Sequence, residues 1–357
     1  MQARAAGRAA ALCAAAGCGG SGRRSALASL LPLSRIDKRV SADLGELLAF
    51  YERNARSAPA FTDGASPPGA EHLLLELRWI VEDAVTSDVD WSAVWARVGP
   101  MHEDKRTVRC RCAVEDLQRL WEYRIEERVP IQYIQGVASW YDFELSVGPG
   151  CLIPRPETEC LLDAALSEIR GAPEGSTPAP WLDLGTGSGA LALGLARHGG
   201  VPVVAIDESD AALSYARANV ASYGLSDRIQ VLQGDWFEPL VKPGGVGDAE
   251  DGPQFGGILS NPPYVDQGGP VQLEVAKHEP EGALYATRAG LEDLERIARN
   301  ASAFLEPGGF LGLESGGPEQ AQAIADVLRS QGSFVDVRCA CDLSGIERFI
   351  LATKRRA

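Results

Sequence analysis

Trp181-Leu-Asp-Leu-Gly-Thr-Gly-Ser-Gly189 decides the fold class: a short apolar run enters a glycine turn, from which a helix opens over Ala190 to Arg197. Glycines at such a turn let the backbone approach a ligand closely, and free N–H groups at the helix start can hold an anion. The pattern also suits dinucleotide binders, and tight-turn geometry alone would call for glycine. Asp207 ends the next apolar run, Val203 to Ile206, 22 residues beyond Gly185. An acid at that strand end can accept from ribose hydroxyls, so the pair points to an adenosine-containing cofactor.

Outward from this turn, short apolar runs alternate with helical stretches in the manner of βαβ units. Candidate strands are Trp181 to Leu184, Val203 to Ile206, Ile229 to Leu232, Gly257 to Leu259, Phe310 to Leu313, Val335 to Cys339 and Arg348 to Ala352. Seven strands ending in a hairpin predict an α/β, doubly wound, mostly parallel sheet. The Gly-rich acidic stretch 242–257 reads as a surface insertion. Before the sheet, Leu73, Leu74, Leu77, Ile80, Val81 and Val85 recur at helical spacing, as do Val114, Leu117, Leu120, Trp121 and Ile125. Residues 56–69 are rich in chain breakers and read as a loop. Short β-like pieces from Tyr133 to Val147 predict a hairpin linker. The division is therefore a leader over 1–36, a helical domain over 37–128, a linker over 129–150 and the sheet domain over 151–357.

The chain has 357 residues, 45% of them apolar, and a formal charge of -15. That charge disfavours a bare phosphate backbone as partner, and no apolar run is long enough for a helical membrane span. The first 36 residues hold five arginines, no lysine and no acid. This composition predicts an organelle transit peptide, mitochondrial or alternatively plastid, over the rival secretory signal. Eight cysteines include no C-x-x-C, and the four histidines are scattered, so no metal site is expected and the thiols read as reduced and structural.

Asp235-Trp-Phe237 follows the third strand, where Trp236 can lie against an adenine ring and Asp235 can accept from its amino group. Trp236 as plain core is the competing reading. Asn261-Pro-Pro-Tyr264 follows the fourth strand and chooses between cofactors. Two prolines remove two N–H donors and leave acceptors, the Asn261 amide oxygen and the Pro262 carbonyl, suited to a planar amino group. Such bonds would aim the nitrogen at an electrophile, with Tyr264 covering the amide plane.

At these residues the chain resembles the class I S-adenosylmethionine-dependent methyltransferases, and within them the HemK/PrmC family of protein-(glutamine N5) methyltransferases that modify class I peptide-chain release factors. Leu152-Ile-Pro-Arg-Pro-Glu-Thr-Glu159, Pro130-Ile-Gln-Tyr-Ile-Gln-Gly136, Phe143, Gly234-Asp-Trp-Phe237 and His278-Glu-Pro280 with Ala283-Leu284 carry the same resemblance. It implies a Rossmann-like seven-stranded domain behind a small helical domain that engages the release factor, and it covers about Leu73 to Ala352. It further implies that Asp183, Gly185, Thr186, Gly187, Ser188, Gly189, Asp207, Asp235, Trp236 and Asn261 hold S-adenosylmethionine. Asn261, Pro262, Pro263 and Tyr264 would hold the glutamine of a Gly-Gly-Gln loop, with Asn261, Pro262 and Tyr264 catalytic. Transfer would be an in-line displacement needing no metal or covalent intermediate, and no general base stands out.

The Asn-Pro-Pro-Tyr motif is shared with DNA adenine-N6 and some RNA guanine-N2 methyltransferases, which are the enzymatic alternative. The acidic charge argues against them, and so do the strands that occupy the chain after Tyr264. A non-catalytic assembly protein with this fold is the other alternative; intact Gly187, Asp207 and Asn261 speak against it. A monomer working on a release factor, without direct contact to nucleic acid or membrane, is the expectation.

Overall fold

The computed structural model describes residues 32–36, 39–57, 70–96, 104–171, 179–241 and 253–356. The chain forms two compact units. One takes residues up to Val137 together with Val271–His278, and the other takes Ala138–Pro270 and Glu279–Ala357.

The first unit is helical. Helices Leu44–Ser57, Ala70–Ala84 and Val114–Glu126 bury Leu47, Leu48, Leu73, Leu77, Ile80, Leu117 and Leu120. The last two helices are legible from their apolar spacing; the first is not among the predicted elements. Val40–Asp43 pairs antiparallel with Thr107–Cys110. Inside this unit Arg124 is buried between Glu76, at 2.6 Å, and Glu274, at 2.9 Å, which ties Val271–His278 to the helices. Removing one partner of such a buried triad strands a charge, a cost of roughly 3–5 kcal/mol.

Three expectations change here. Of the leader, 1–31 lie outside the described residues, but Leu33 is fully buried, and Pro32 and Ser34 approach Gly136 so closely that a side chain there would collide. The folded unit thus includes part of the stretch assigned to the leader. Ile131–Gln135 is a helical turn ended by left-handed Gly136 (φ 77°), not the start of β structure. Of the expected 56–69 loop, Arg56 and Ser57 close the first helix and the rest lies outside the described residues.

The second unit opens at Ala138, within the hairpin of strands Val137–Trp140 and Phe143–Ser146. Ser146 exchanges two hydrogen bonds with buried Asn219, donating its N–H at 2.7 Å and accepting at 3.0 Å. The sheet follows: β1 Trp181–Leu184, β2 Val203–Asp207, β3 Ile229–Gln233, β4 Phe255–Ser260, β5 Leu305–Glu314, β6 Phe334–Cys341 and β7 Glu347–Lys354. Their spatial order is β6-β7-β5-β4-β1-β2-β3, with β7 antiparallel to both neighbours and the other pairs parallel. This is the seven-stranded, Rossmann-like class I methyltransferase fold that the resemblance implies. All four residues of β1 are buried, because a central parallel strand is covered on both faces by helices. Leu182, Leu184, Ile258, Leu311 and Leu313 share one core with Leu294, Ile297, Ala298, Ile324 and Leu328 from helices Glu292–Phe304 and Pro318–Gln331.

All seven strands lie where the apolar runs place them, but four begin earlier, β6 and β7 by a single residue and β4 and β5 by more. Phe255 and Gly256, assigned to the 242–257 insertion, belong to β4, and 242–252 lie outside the described residues. β5 starts at Leu305, with an irregularity before Phe310 where Pro307-Gly-Gly309 masks the strand in sequence.

Candidate active site

A cavity of about 490 Å³ opens at the carboxyl ends of β1 to β4. Parallel strands present their carboxyl ends and the following helix N-termini to one side, and strand order reverses between β1 and β4, so this crevice is where ligands bind in open α/β sheets.

The turn after β1 is shaped by its own backbone. Gly185 and Thr186 both donate to the Ile206 carbonyl at 2.9 Å, and Gly185 (φ 70°) and Gly187 (φ 56°) adopt left-handed conformations that disfavour other residues. A side chain on Gly187 would meet nothing within 4 Å, so its bare backbone faces open space. Gly189 is not on the cavity wall; it starts the helix Ala190–Gly194 and packs against Ala216. Thr186 and Ser188 are buried and line the cavity.

Asp183 is buried beneath this turn. One carboxylate oxygen accepts from the Thr186 hydroxyl at 2.6 Å and the Ala192 N–H at 3.0 Å, while the other has no hydrogen-bond partner. Burial, against those two bonds, pushes its pKa up to about 7. Asp207 accepts from Gly187 N–H at 2.8 Å and Ser209 N–H at 2.9 Å, so it ties the β2 end to the glycine turn. Burial raises its pKa too.

Trp236, in a left-handed conformation (φ 49°), lays its ring against Gly185 and donates its indole N–H to Asp293 at 3.2 Å. Asp235, expected as an acceptor for an amino group, has its two oxygens engaged by Arg296 at 2.9 and 2.7 Å. The pair sits on the exposed rim of the cavity, and each carboxylate oxygen keeps a second lone pair.

Asn261 and Pro263 line the cavity; buried Pro262 and half-buried Tyr264 do not. The Asn261 amide donates to the Thr158 hydroxyl at 3.1 Å, and Thr158 donates to Glu314 at 2.7 Å. The Tyr264 hydroxyl, its pKa raised by burial and by Glu314, lies 3.5 Å from the same carboxylate. Across the cavity, buried Glu279 accepts from Ile153 N–H at 3.0 Å and from Arg155 at 2.8 Å, which fixes the wall Leu152–Arg155. Among the described residues no group of three or more His, Cys, Asp or Glu is placed to hold a metal ion, and no helix is long and apolar enough to cross a membrane.

The site thus joins a glycine-turn pocket with two acids to a wall that carries the Asn261 amide and Pro263. A methyltransferase-domain family model matches residues 182–247. A release factor glutamine methyltransferase from Synechocystis sp. is 42% identical over 243 residues, 67% of this chain and 78% of the relative. One from Thermosynechococcus vestitus is 40% identical over 248 residues, 69% and 81% of the two chains. The chain belongs to the release factor glutamine methyltransferase family. A solved release factor-specific protein-(glutamine-N5) methyltransferase from Alicyclobacillus acidocaldarius is 30% identical, covers 59% of this chain and 99% of that one, and superposes with a TM-score of 0.36.

For this release factor glutamine methyltransferase homologue, the sequence does not single out Asp293, Arg296 or Glu314, and it marks Glu279 only within His278-Glu-Pro280, with no role attached. Asp293 and Arg296 lie on a helix with no glycine or motif to mark them. Glu314 is findable, since it ends β5 as Asn261 follows β4, and the same strand-end argument applies to both.

Proposed function

We propose that this chain transfers the methyl group of S-adenosylmethionine to the side-chain amide nitrogen of the glutamine in the Gly-Gly-Gln loop of a class I release factor. The observation that carries the reading is Asn261 at the end of β4, on the cavity wall and followed by two residues without N–H donors, in a chain of this family. When bound, S-adenosylmethionine supplies a methyl group on an electrophilic sulfonium. The residues present fit it: the unpartnered oxygen of Asp183 is a buried acceptor suited to a cation, and the open backbone at Gly187 admits close approach. Gly185, Thr186, Gly187 and Ser188 would hold its amino-acid end, Asp207 its ribose and Trp236 its adenine.

Amide nitrogen is a weak nucleophile because its lone pair is delocalised. Catalysis must therefore come from aim and from stabilising charge that develops on nitrogen. The Asn261 oxygen on the cavity wall would accept one N–H bond of the glutamine, and its dipole would favour positive charge at nitrogen; Pro262 does not line the cavity, so its carbonyl as acceptor for the other N–H rests on the sequence motif alone. The N–H proton is lost during or after attack.

Incubating the purified chain with a release factor and isotope-labelled cofactor, then mass spectrometry of the Gly-Gly-Gln peptide, tests the reading; label on nucleic acid instead of that glutamine overturns it. Asn261→Ala is expected to abolish transfer while cofactor affinity stays within about tenfold, as at most one polar cofactor contact is lost; unchanged turnover removes Asn261 from the role. The basic, acid-free composition of the leader supports an organelle address, the mitochondrion with the plastid as alternative. A fluorescent fusion of residues 1–36 viewed against both organelle markers discriminates them.

A further inference from the structure

Three side chains from distant parts of the second unit form one line behind the cavity wall. Asn261 Nδ2 donates to Thr158 Oγ1 at 3.1 Å, and Thr158 donates its only hydroxyl hydrogen to Glu314 Oε2 at 2.7 Å. Thr158 and Glu314 are buried, with Glu314 fully so, and Thr158 also reaches the cavity wall. The consequence lies in the asymmetry of the asparagine amide. Its oxygen and nitrogen ends have nearly the same size and shape, so packing alone does not choose which faces a ligand. Only the oxygen end can accept from an incoming NH2 group; the nitrogen end would set donor against donor.

We propose that Thr158 and Glu314 are positioning residues for methyl transfer: by fixing Thr158 as an acceptor toward Asn261, they turn the Asn261 amide oxygen to the glutamine NH2. This rests on the proposed methylation of glutamine. An ionised Glu314 can only accept, so it takes the threonine hydrogen and leaves the threonine oxygen to accept from Asn261. A protonated Glu314 could instead donate to that oxygen, release the hydroxyl hydrogen toward Asn261 and allow the amide to reverse. Both states are reachable near neutrality: burial, opposed by Thr158 and Arg348 and reinforced by Glu157, raises the Glu314 pKa to about 7, with the Tyr264 hydroxyl also turned to it. Arg348 comes from β7, Glu157 from the turn before helix Thr158–Gly171, and Tyr264 from beyond β4.

The test uses the full chain, release factor as acceptor and labelled S-adenosylmethionine, scored by kcat/KM for the acceptor and by cofactor Kd. Wild-type transfer to glutamine is measured first, and its absence overturns the proposed methylation itself, whereas the variants judge the positioning role alone. Thr158→Val keeps the volume and removes the hydroxyl; kcat/KM is expected to fall roughly ten- to hundredfold, as a buried donor loses its partner, with Kd within about threefold. Thr158→Ser restores most of the loss. Glu314→Gln lowers kcat/KM, because its own amide can present either end to Thr158, and it removes an acid limb that wild type shows below about pH 7. Unchanged kcat/KM in Thr158→Val, equal impairment in the serine variant, or superimposable pH profiles for wild type and Glu314→Gln each overturn the proposal. Should Thr158→Val not fold, the pH profiles decide.

Discussion

Two buried carboxylates, Asp183 on β1 and Glu314 at the end of β5, lie on either side of β4 and should make stability depend on pH. Asp183 and Glu314 both have folded-state pKa values raised to about 7, from ordinary values of 3.8 and 4.5. A carboxyl held above its unfolded value binds its proton more tightly when folded. Its penalty is therefore fully present above pH 7 and is relieved as pH falls from about 7 toward 4. Asp183→Asn removes the titration and keeps an acceptor for Thr186 and Ala192, so it should raise Tm at about pH 8, with the gain shrinking by about pH 5. Scanning fluorimetry across that range checks the sign, and a gain that grows toward acid contradicts it. Residues of this kind divide in how legible they are. Asp183, Asp207 and Asn261 stand beside glycines, strand ends or prolines, and local sequence exposes them. Thr158 stands in the Leu152–Glu159 stretch and Glu314 at a strand end, but they lie 156 positions apart and only the fold shows that they meet.

At the scale of elements, the segment leaving Tyr264 is fastened by its neighbours. Val265–Asp266 pairs in parallel with Tyr285–Ala286, and Gln320 donates to the carbonyls of Tyr264 and Ala289, both at 2.8 Å. Arg288 (φ 56°), Ala289 (φ 59°) and Gly290 (φ 76°) are consecutive left-handed residues. The first two cost roughly 1 kcal/mol or more each, strain that packing beside a functional loop must offset. A side chain at Gly290 would collide with the Tyr264 carbonyl oxygen. Gly290→Ala should therefore slow methyl transfer about tenfold or more while leaving cofactor Kd within a few-fold, since the glycine turn after β1 is untouched; equal kcat in a folded variant would refute this. The same glycines and prolines that make such a loop hide strands from a reader. β4 and β5 read short in sequence because Gly256 and Pro307-Gly-Gly309 carry little strand propensity, and pairing in the sheet supplies what the residues lack.

For the whole molecule, the apolar runs reveal the raw material of the sheet, seven strands with a closing hairpin, while the start of the folded chain stays hidden. Leu33 looks like part of a basic leader in sequence, yet it is fully buried in the helical unit. Leu33→Asp in a chain beginning at Pro32 should lower Tm by several degrees against the same chain unmutated, because a charge is forced into an apolar site; an unchanged melting curve would place Leu33 outside the fold. The strand order has a broader consequence. In the proposed reaction, most residues assigned to the cofactor follow β1, β2 and β3 on one flank of the reversal, and Asn261 and Glu314, assigned to the acceptor, lie at the ends of β4 and β5 on the other. The division is not clean along the chain: Thr158, before β1, bonds Asn261, and Asp293 and Arg296, after β4, bond Trp236 and Asp235. Exchange of the whole later block would therefore strip Trp236 and Asp235 of their partners, so a new nucleophile is recruited to an intact donor socket only by grafts that spare helix Glu292–Phe304.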